Sequence, residues 1–166
     1  DYLNQMYAAG LGQYADVVVG VHPYGWGNAP DARCCGSRGW DEDPHFYYLE
    51  TLDAYRAIMN QNGHGGTPMW ITEFGYASWD GFPLDPTQEW MKFNDRWAQG
   101  GYTIRAIQIA QERGDVGVKM LWNLNFAVLS GLIGGRDERA AYSMLVPGDA
   151  CQVNPDSQNH TERPIF

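Results

Sequence analysis

Three short runs in this sequence are apolar on both faces: 16–22 (DVVVGVH), 68–74 (PMWITEF) and 116–122 (VGVKMLW). A run with no polar side reads as a strand covered on both faces, as in a buried parallel sheet. Between the runs the period changes to that of a helix. Phe46, Leu49, Leu52, Tyr55, Ile58 and Met59 fall on one helical face. Asp43 can cap that helix, Pro44 suits its first turn, and Gly63 can end it. A second helix is expected over 95–113, with Trp97, Ile104, Ile107 and Ala110 among its apolar positions and Gly100 and Gly101 weakening its start. A shorter helix, Tyr2–Ala9, precedes the first run and stops at Gly10. Strands that alternate with helices imply parallel βα units. The 166 residues are read as one domain, 1–166, long enough to bury a core.

The connections are unequal. Those expected after helices are short (63–67, 114–115), and those after strands are long (23–43, 75–94, 123–142). Long loops gathered at one end of a parallel sheet are where α/β folds carry function. A closed (β/α)8 barrel takes about 250 residues, whereas this chain shows three strands, opens within a helical pattern and ends on Arg163-Pro164-Ile165-Phe166, which reads as the start of another helix. The expectation is a partial barrel. Its open edges would call for self-association or for a missing N-terminal half. A doubly wound open sheet is the structural alternative, but it normally carries a glycine-rich first turn, and none follows a strand here.

A net charge of −9 argues against nucleic acid and anionic membranes as partners. No segment approaches the roughly 20 apolar residues that span a bilayer. The three cysteines are Cys34, Cys35 and Cys151. A bridge from Cys34 or Cys35 to Cys151 is expected, leaving one thiol over. Spaced Cys/His sets of the zinc-binding kind are missing, so no metal and no cofactor are expected. That bridge, with the sequon Asn159-His160-Thr161, leans towards a secreted protein.

Each strand-like run ends in polar or aromatic residues: His22-Pro23-Tyr24, Thr72-Glu73-Phe74-Gly75 and Trp122-Asn123-Leu124-Asn125. Strict alternation places Val18, Gly20 and His22 on one face, Met69, Ile71 and Glu73 on one face, and Val118, Met120 and Trp122 on one face. If these face inward, an imidazole, a carboxylate and an indole meet at a mouth, and Lys119 turns to the helix layer. A carboxylate ending an apolar strand is costly unless it is paired or used. An ion pair with a loop arginine such as Arg136 would account for Glu73 without function. Aromatic residues make up 14% of the chain, which serves packing and could also serve a sugar-stacking surface.

Trp70-Ile71-Thr72-Glu73-Phe74-Gly75 resembles the seventh-strand motif of the large clan of retaining glycoside hydrolases built on TIM barrels. His22-Pro23-Tyr24 resembles that clan's sixth-strand signature, and Trp122 its eighth-strand tryptophan. The likeness spans essentially the whole chain and is nearest to cellulase-like and xylosidase-like members. It implies strands six to eight of a (β/α)8 barrel that cleaves β-linked poly- or oligosaccharides, with Glu73 as nucleophile. Tyr24 would donate a hydrogen bond to Glu73, and His22 would contact a sugar hydroxyl or the carboxylate network. Trp122 would stack on the sugar beside Asn123, with Trp26, Trp40 and Trp79 forming further subsites. The clan's acid/base is the Glu of an Asn-Glu-Pro motif, and no Asn-Glu pair occurs here. The expected donor therefore lies on a missing N-terminal part. A carbohydrate-binding or assembly half-barrel without hydrolysis is the competing expectation.

Overall fold

A computed structural model of the chain describes residues 2–126, 130–147 and 160–162. At its centre, β1 (Val19–Val21), β2 (Met69–Phe74) and β3 (Val116–Leu121) form an all-parallel sheet in the order β1-β2-β3. α1 (Tyr2–Ala8) precedes β1, α2 (Tyr48–Gln61) joins β1 to β2, and α3 (Arg96–Glu112) joins β2 to β3. This is an α/β fold of consecutive βα units, its sheet open at β1 and β3. α4 (Ser130–Gly134), α5 (Glu138–Ala141) and an antiparallel pair, β4 (Leu145–Pro147) and β5 (His160–Glu162), follow. Among the described residues no helix is long and apolar enough to cross a membrane.

Local chemistry sets the ends of these elements. Asp43 accepts from the His45 amide at 2.9 Å and opens a 3-10 turn, Pro44–Phe46, so α2 itself starts only at Tyr48. Asp95 accepts from the Ala98 amide at 2.7 Å and caps α3. Gly10 and Gly63, just past α1 and α2, take φ of 105° and 81°, where a side chain would clash with its own backbone.

One face of the sheet carries the helices. Val19, Val21, Met69, Ile71, Phe74 and Val116 pack against Tyr48, Leu52, Met59, Ala106, Ile109 and Ala110. Burying each large aliphatic side chain contributes about 1.5–3 kcal/mol. The Tyr48 hydroxyl crosses this layer and donates to the Ala106 carbonyl at 2.9 Å, tying α2 to α3. The opposite face is open, and Val18, Val118 and Met120 there are 41%, 38% and 46% exposed.

Strict alternation fails on β2. Met69 and Ile71 belong to the helix side, not to the face of Glu73. From Ile71 to Phe74 the chain advances three residues while its partner advances two, from Lys119 to Leu121. A bulge of this kind re-aims side chains. It returns Phe74 to the helix core and turns both Thr72 and Glu73 away from it. On β3 Val118 and Met120 are exposed as expected and Lys119 is in register with Ile71, but Val116 lies on the helix side, because from Val116 to Lys119 β3 advances three residues while β2 advances two, from Met69 to Ile71.

The expected apolar positions of α3 divide: Ile107 and Ala110 pack against the core, whereas Trp97 and Ile104 do not. Trp97 is 70% exposed and Ile104 is exposed, while Gln99, Gly100, Thr103, Ala106, Ile109 and Ala110 are buried. Small and polar residues win because this stripe holds backbone rather than filling a gap. The Gln99 amide nitrogen donates to the carbonyls of Tyr76 (2.7 Å) and Ala141 (2.9 Å), and Thr103 donates to Gln99 O at 2.8 Å.

Charges gather at the N-terminal ends of β2 and β3. Arg56 donates through Nε to the Asp115 carboxylate (3.0 Å) and through its other nitrogens to the carbonyls of Gly65, Thr67 and Asp115, each at 3.0 Å. Arg113 grips both Asp115 oxygens at 3.0 Å and reaches Asp53 at 2.5 Å.

Candidate active site at the C-terminal ends of the strands

The three long loops meet where the strands end, and between them lies a cavity of about 370 Å³. Glu73 forms part of its wall, with Tyr24 and Trp26 from the loop after β1 and Trp90 from the loop after β2. Trp122, Glu138, Arg139 and Tyr142 come from the segment after β3.

Backbone geometry brings these groups together. The bulge in β2 aims Glu73 at the loops. The Trp122 amide donates to the Phe74 carbonyl at 2.7 Å, so Trp122 continues the strand pairing into the wall. At Gly75 any Cβ would come within 2.1 Å of the Trp122 carbonyl oxygen, so only glycine lets the two loops pass this closely. Asn94 donates to the carbonyls of Trp26 (2.8 Å) and Ala77 (3.0 Å) and so joins the first loop to the second. Trp26 stands edge-on to Trp90, their centroids 5.0 Å apart at 77°, a favourable aromatic arrangement.

The Tyr24 hydroxyl donates to Glu73 Oε1. Burial first, then that hydrogen bond and the charge of Glu73, hold the Tyr24 phenol far above its ordinary pKa. It stays protonated at neutral pH and can act only as the donor in this pair. Burial, followed by the charges of Glu138 and Glu73, raises the Tyr142 phenol in the same way. Arg139 donates to Asp137 at 2.8 and 2.7 Å, and these bonds bring the Asp137 carboxyl down to about 2. The cavity thus combines aromatic faces, an oriented carboxylate and a second carboxylate. It can stack on a flat apolar ligand face and accept hydrogen bonds from hydroxyls. Among the described residues no three His, Cys, Asp or Glu side chains converge as a metal site.

The expected site residues divide into two groups. Glu73, Tyr24, Trp122 and Trp26 line one cavity. His22 does not line it; it lies exposed and shares a 3.0 Å hydrogen bond with Thr72 Oγ1. Asn123 is buried with both ends of its amide engaged, donating to Arg139 O (2.8 Å) and accepting from the Phe126 amide (3.1 Å), which makes it a loop anchor. Trp79 is buried beside a separate cavity of about 440 Å³ with Asp80, Phe82 and Lys92, its indole N–H donating to Leu84 O at 2.5 Å. Trp40 stacks on Phe93 at 4.5 Å and carries the Arg38 guanidinium on its ring. The partner of Glu73 is the Tyr24 phenol rather than Arg136.

The expected bridge to Cys151 is corrected. Cys34 and Cys35 are bonded to each other, and a sulfur forms only one disulfide. Cys151 and Asn159 lie outside the described residues. Four cavity residues escaped the sequence reading: Trp90, Glu138, Arg139 and Tyr142. Trp90 carried a usable signal, a tryptophan in a long loop after a strand. Glu138 and Arg139 sit in a polar stretch with no period, and only the return of the chain through α5 delivers them. Comparison with known protein families, with curated proteins and with solved structures finds no match.

Proposed function

We propose that this chain forms strands six to eight of a (β/α)8 barrel belonging to a retaining β-glycosidase of β-linked poly- or oligosaccharides, with Glu73 as its nucleophile. The observation that carries this reading is the Tyr24–Glu73 hydrogen bond inside an aromatic cavity at the C-terminal ends of parallel strands. Catalytic groups of barrel enzymes come from that end. The uncovered sheet face supports the same reading, because an apolar face without helices is what a barrel interior needs.

In the proposed reaction a Glu73 oxygen attacks the anomeric carbon as the bond to the leaving oxygen breaks, and a glycosyl ester forms. The leaving oxygen takes its proton from an acid on another part of the barrel. Water then attacks the same carbon, that acid's conjugate base takes the water proton, and Glu73 is released. Tyr24 is a positioning residue. Its hydroxyl holds Oε1 without neutralising the carboxylate, which leaves the other oxygen to attack. Trp122, Trp26 and Trp90 present ring faces and edges to the sugar. The disulfide between Cys34 and Cys35 supports an oxidising, extracellular setting.

A mechanism-based fluoro-sugar applied to the complete barrel should label Glu73, as read by peptide mass spectrometry. Glu73→Gln should lower turnover by several orders of magnitude while sugar binding survives. A label on another residue, or near-normal turnover in Glu73→Gln, would overturn the assignment. Binding with neither label nor hydrolysis in the complete barrel would favour the non-catalytic carbohydrate-binding reading, which the missing Asn-Glu-Pro motif keeps in view.

A further inference from the structure

The cavity holds a second carboxylate with no part in the mechanism above. Glu138 is the first residue of the four-residue α5, directly after the Asp137 cap, and it lines the same wall as Glu73. The cavity's cation, Arg139, is held on two of its nitrogens by Asp137. Counting Glu73, Glu138 and Arg139 with its Asp137 partner, the formal charge around the cavity is −2. The remaining wall, from Tyr24, Trp26, Trp90, Trp122 and Tyr142, is aromatic. Ring faces carry negative quadrupole potential and attract cations as carboxylates do. The two carboxylates, and each ring face turned to the cavity, therefore favour positive charge.

We propose that Glu138 is a specificity-determining residue that makes this cavity charge-selective, so that it prefers a sugar unit bearing a free ammonium group over a neutral hexose and refuses a uronate. This rests on the carbohydrate reading of the cavity and deepens it to an amino-sugar ligand class. The separation of roles follows from the partners. Glu73 is oriented by a phenol and aimed by a strand bulge. Glu138 rides on a short helix, exposed at the rim, where it can meet a substituent of the ring rather than the anomeric carbon. The charges of both carboxylates bear on Tyr24 and Tyr142, which puts them around one space.

The test is a titration of the complete barrel's tryptophan fluorescence with three trimers at about pH 6, where an amine of ordinary pKa is protonated. The probes are the β-1,4 glucosamine trimer, cellotriose and trigalacturonate. The first two differ chiefly in an ammonium in place of a hydroxyl at C2. The glucosamine trimer should bind at least about tenfold tighter than cellotriose, and trigalacturonate weakest, with the preference shrinking as salt is added. Glu138→Gln keeps the shape of an exposed side chain. It should bring the two tighter ligands within about threefold of each other by weakening the cationic one more than cellotriose. Glu138→Lys brings the formal charge around the cavity to zero and should remove the preference between the charged trimers. Equal affinity of wild type for glucosamine trimer and cellotriose, or a preference unchanged in Glu138→Gln, would overturn the charge inference while the carbohydrate reading stands. No response to any of the three would remove both.

Discussion

Asp115 offers the sharpest test of how the sheet is held. Its carboxylate sits between two guanidiniums whose side chains are 12% (Arg56) and 17% (Arg113) exposed, and it is itself 25% exposed. Asp115→Asn keeps the size and one acceptor but removes the charge that both arginines face. Removing one partner of a fully buried pair costs about 3–5 kcal/mol, and an exposed pair contributes about 1 or less. With partial burial and a retained acceptor, a loss of about 2 kcal/mol is expected, or roughly 4–8 °C in Tm for a domain of this size. Urea denaturation at pH 7 with an unchanged slope is the assay, and Asp85→Asn, which breaks the exposed pair with Lys92, is the control, expected to cost little or nothing measurable. The effect carries a pH signature. Burial pushes the Asp115 carboxyl up, and the hydrogen bonds and charges of Arg113 and Arg56 outweigh that and leave it below its ordinary value. A lowered folded-state pKa gives stability that is present above the unfolded value, about 3.9, and lost as pH falls through the folded value. Wild type and Asp115→Asn should therefore converge in acid. A cost no larger than that of Asp85→Asn, or a gap undiminished below about pH 3, would refute the account.

Three further outcomes are expected. Tyr24→Phe keeps the ring but removes the donor to Glu73. In the glycosidase proposed above it should lower kcat by about ten- to hundredfold with little change in KM, on the scale of a hydrogen bond to a charge; an unchanged kcat would leave Tyr24 no positioning role. Gln99→Leu leaves the Tyr76 and Ala141 carbonyls without their shared donor, so a loss of about 2–4 kcal/mol should appear in urea denaturation. Peptide mapping without reductant should return Cys34 and Cys35 in one intact bridge and Cys151 as a thiol or in an intermolecular bond, and a Cys151 bridge to either would contradict the structure.

The βα order and the three strands were legible because apolar runs and helical periods are local signals, and β2 and β3 start and end within a residue of expectation. What failed needed the fold itself. The face assignment of Met69 and Ile71 assumed unbroken alternation, and a bulge is a property of two strands in register, which one strand's sequence does not announce. The inward stripe of α3 was legible only at Ile107 and Ala110, because Trp97 looks like core while Gln99 looks like surface, yet Gln99 is buried through two backbone carbonyls that only the tertiary structure supplies. Glu73, Tyr24, Trp26 and Trp122 were legible as a set because they follow strand ends. Glu138 and Tyr142 return from some twenty residues beyond β3, and no spacing marks them.

Asp115 at the N-terminal end of the sheet and Glu73 at the C-terminal end are held differently, and that contrast bears on Glu73. At the N-terminal end Asp115 takes two guanidiniums, and Asp53 is paired with Arg113 and Arg33. Charge there is neutralised, as expected where the role is to fix helices and strands to one another. At the C-terminal end Glu73 takes a phenol, which orients one oxygen and carries no positive charge. A carboxylate kept only for stability would gain more from an arginine, and Arg139 sits in the same wall but is given to Asp137 instead. An oriented, unneutralised carboxylate beside aromatic surface is costly to keep unless something arriving in the cavity uses it. That cost is the physical argument for a substrate there. It also yields a stability prediction that needs no substrate: Glu73→Gln should leave the fold as stable as wild type, or make it more stable, in urea at pH 7, whereas Asp115→Asn should weaken it. A clear destabilisation by Glu73→Gln would mean that Glu73 serves the fold after all.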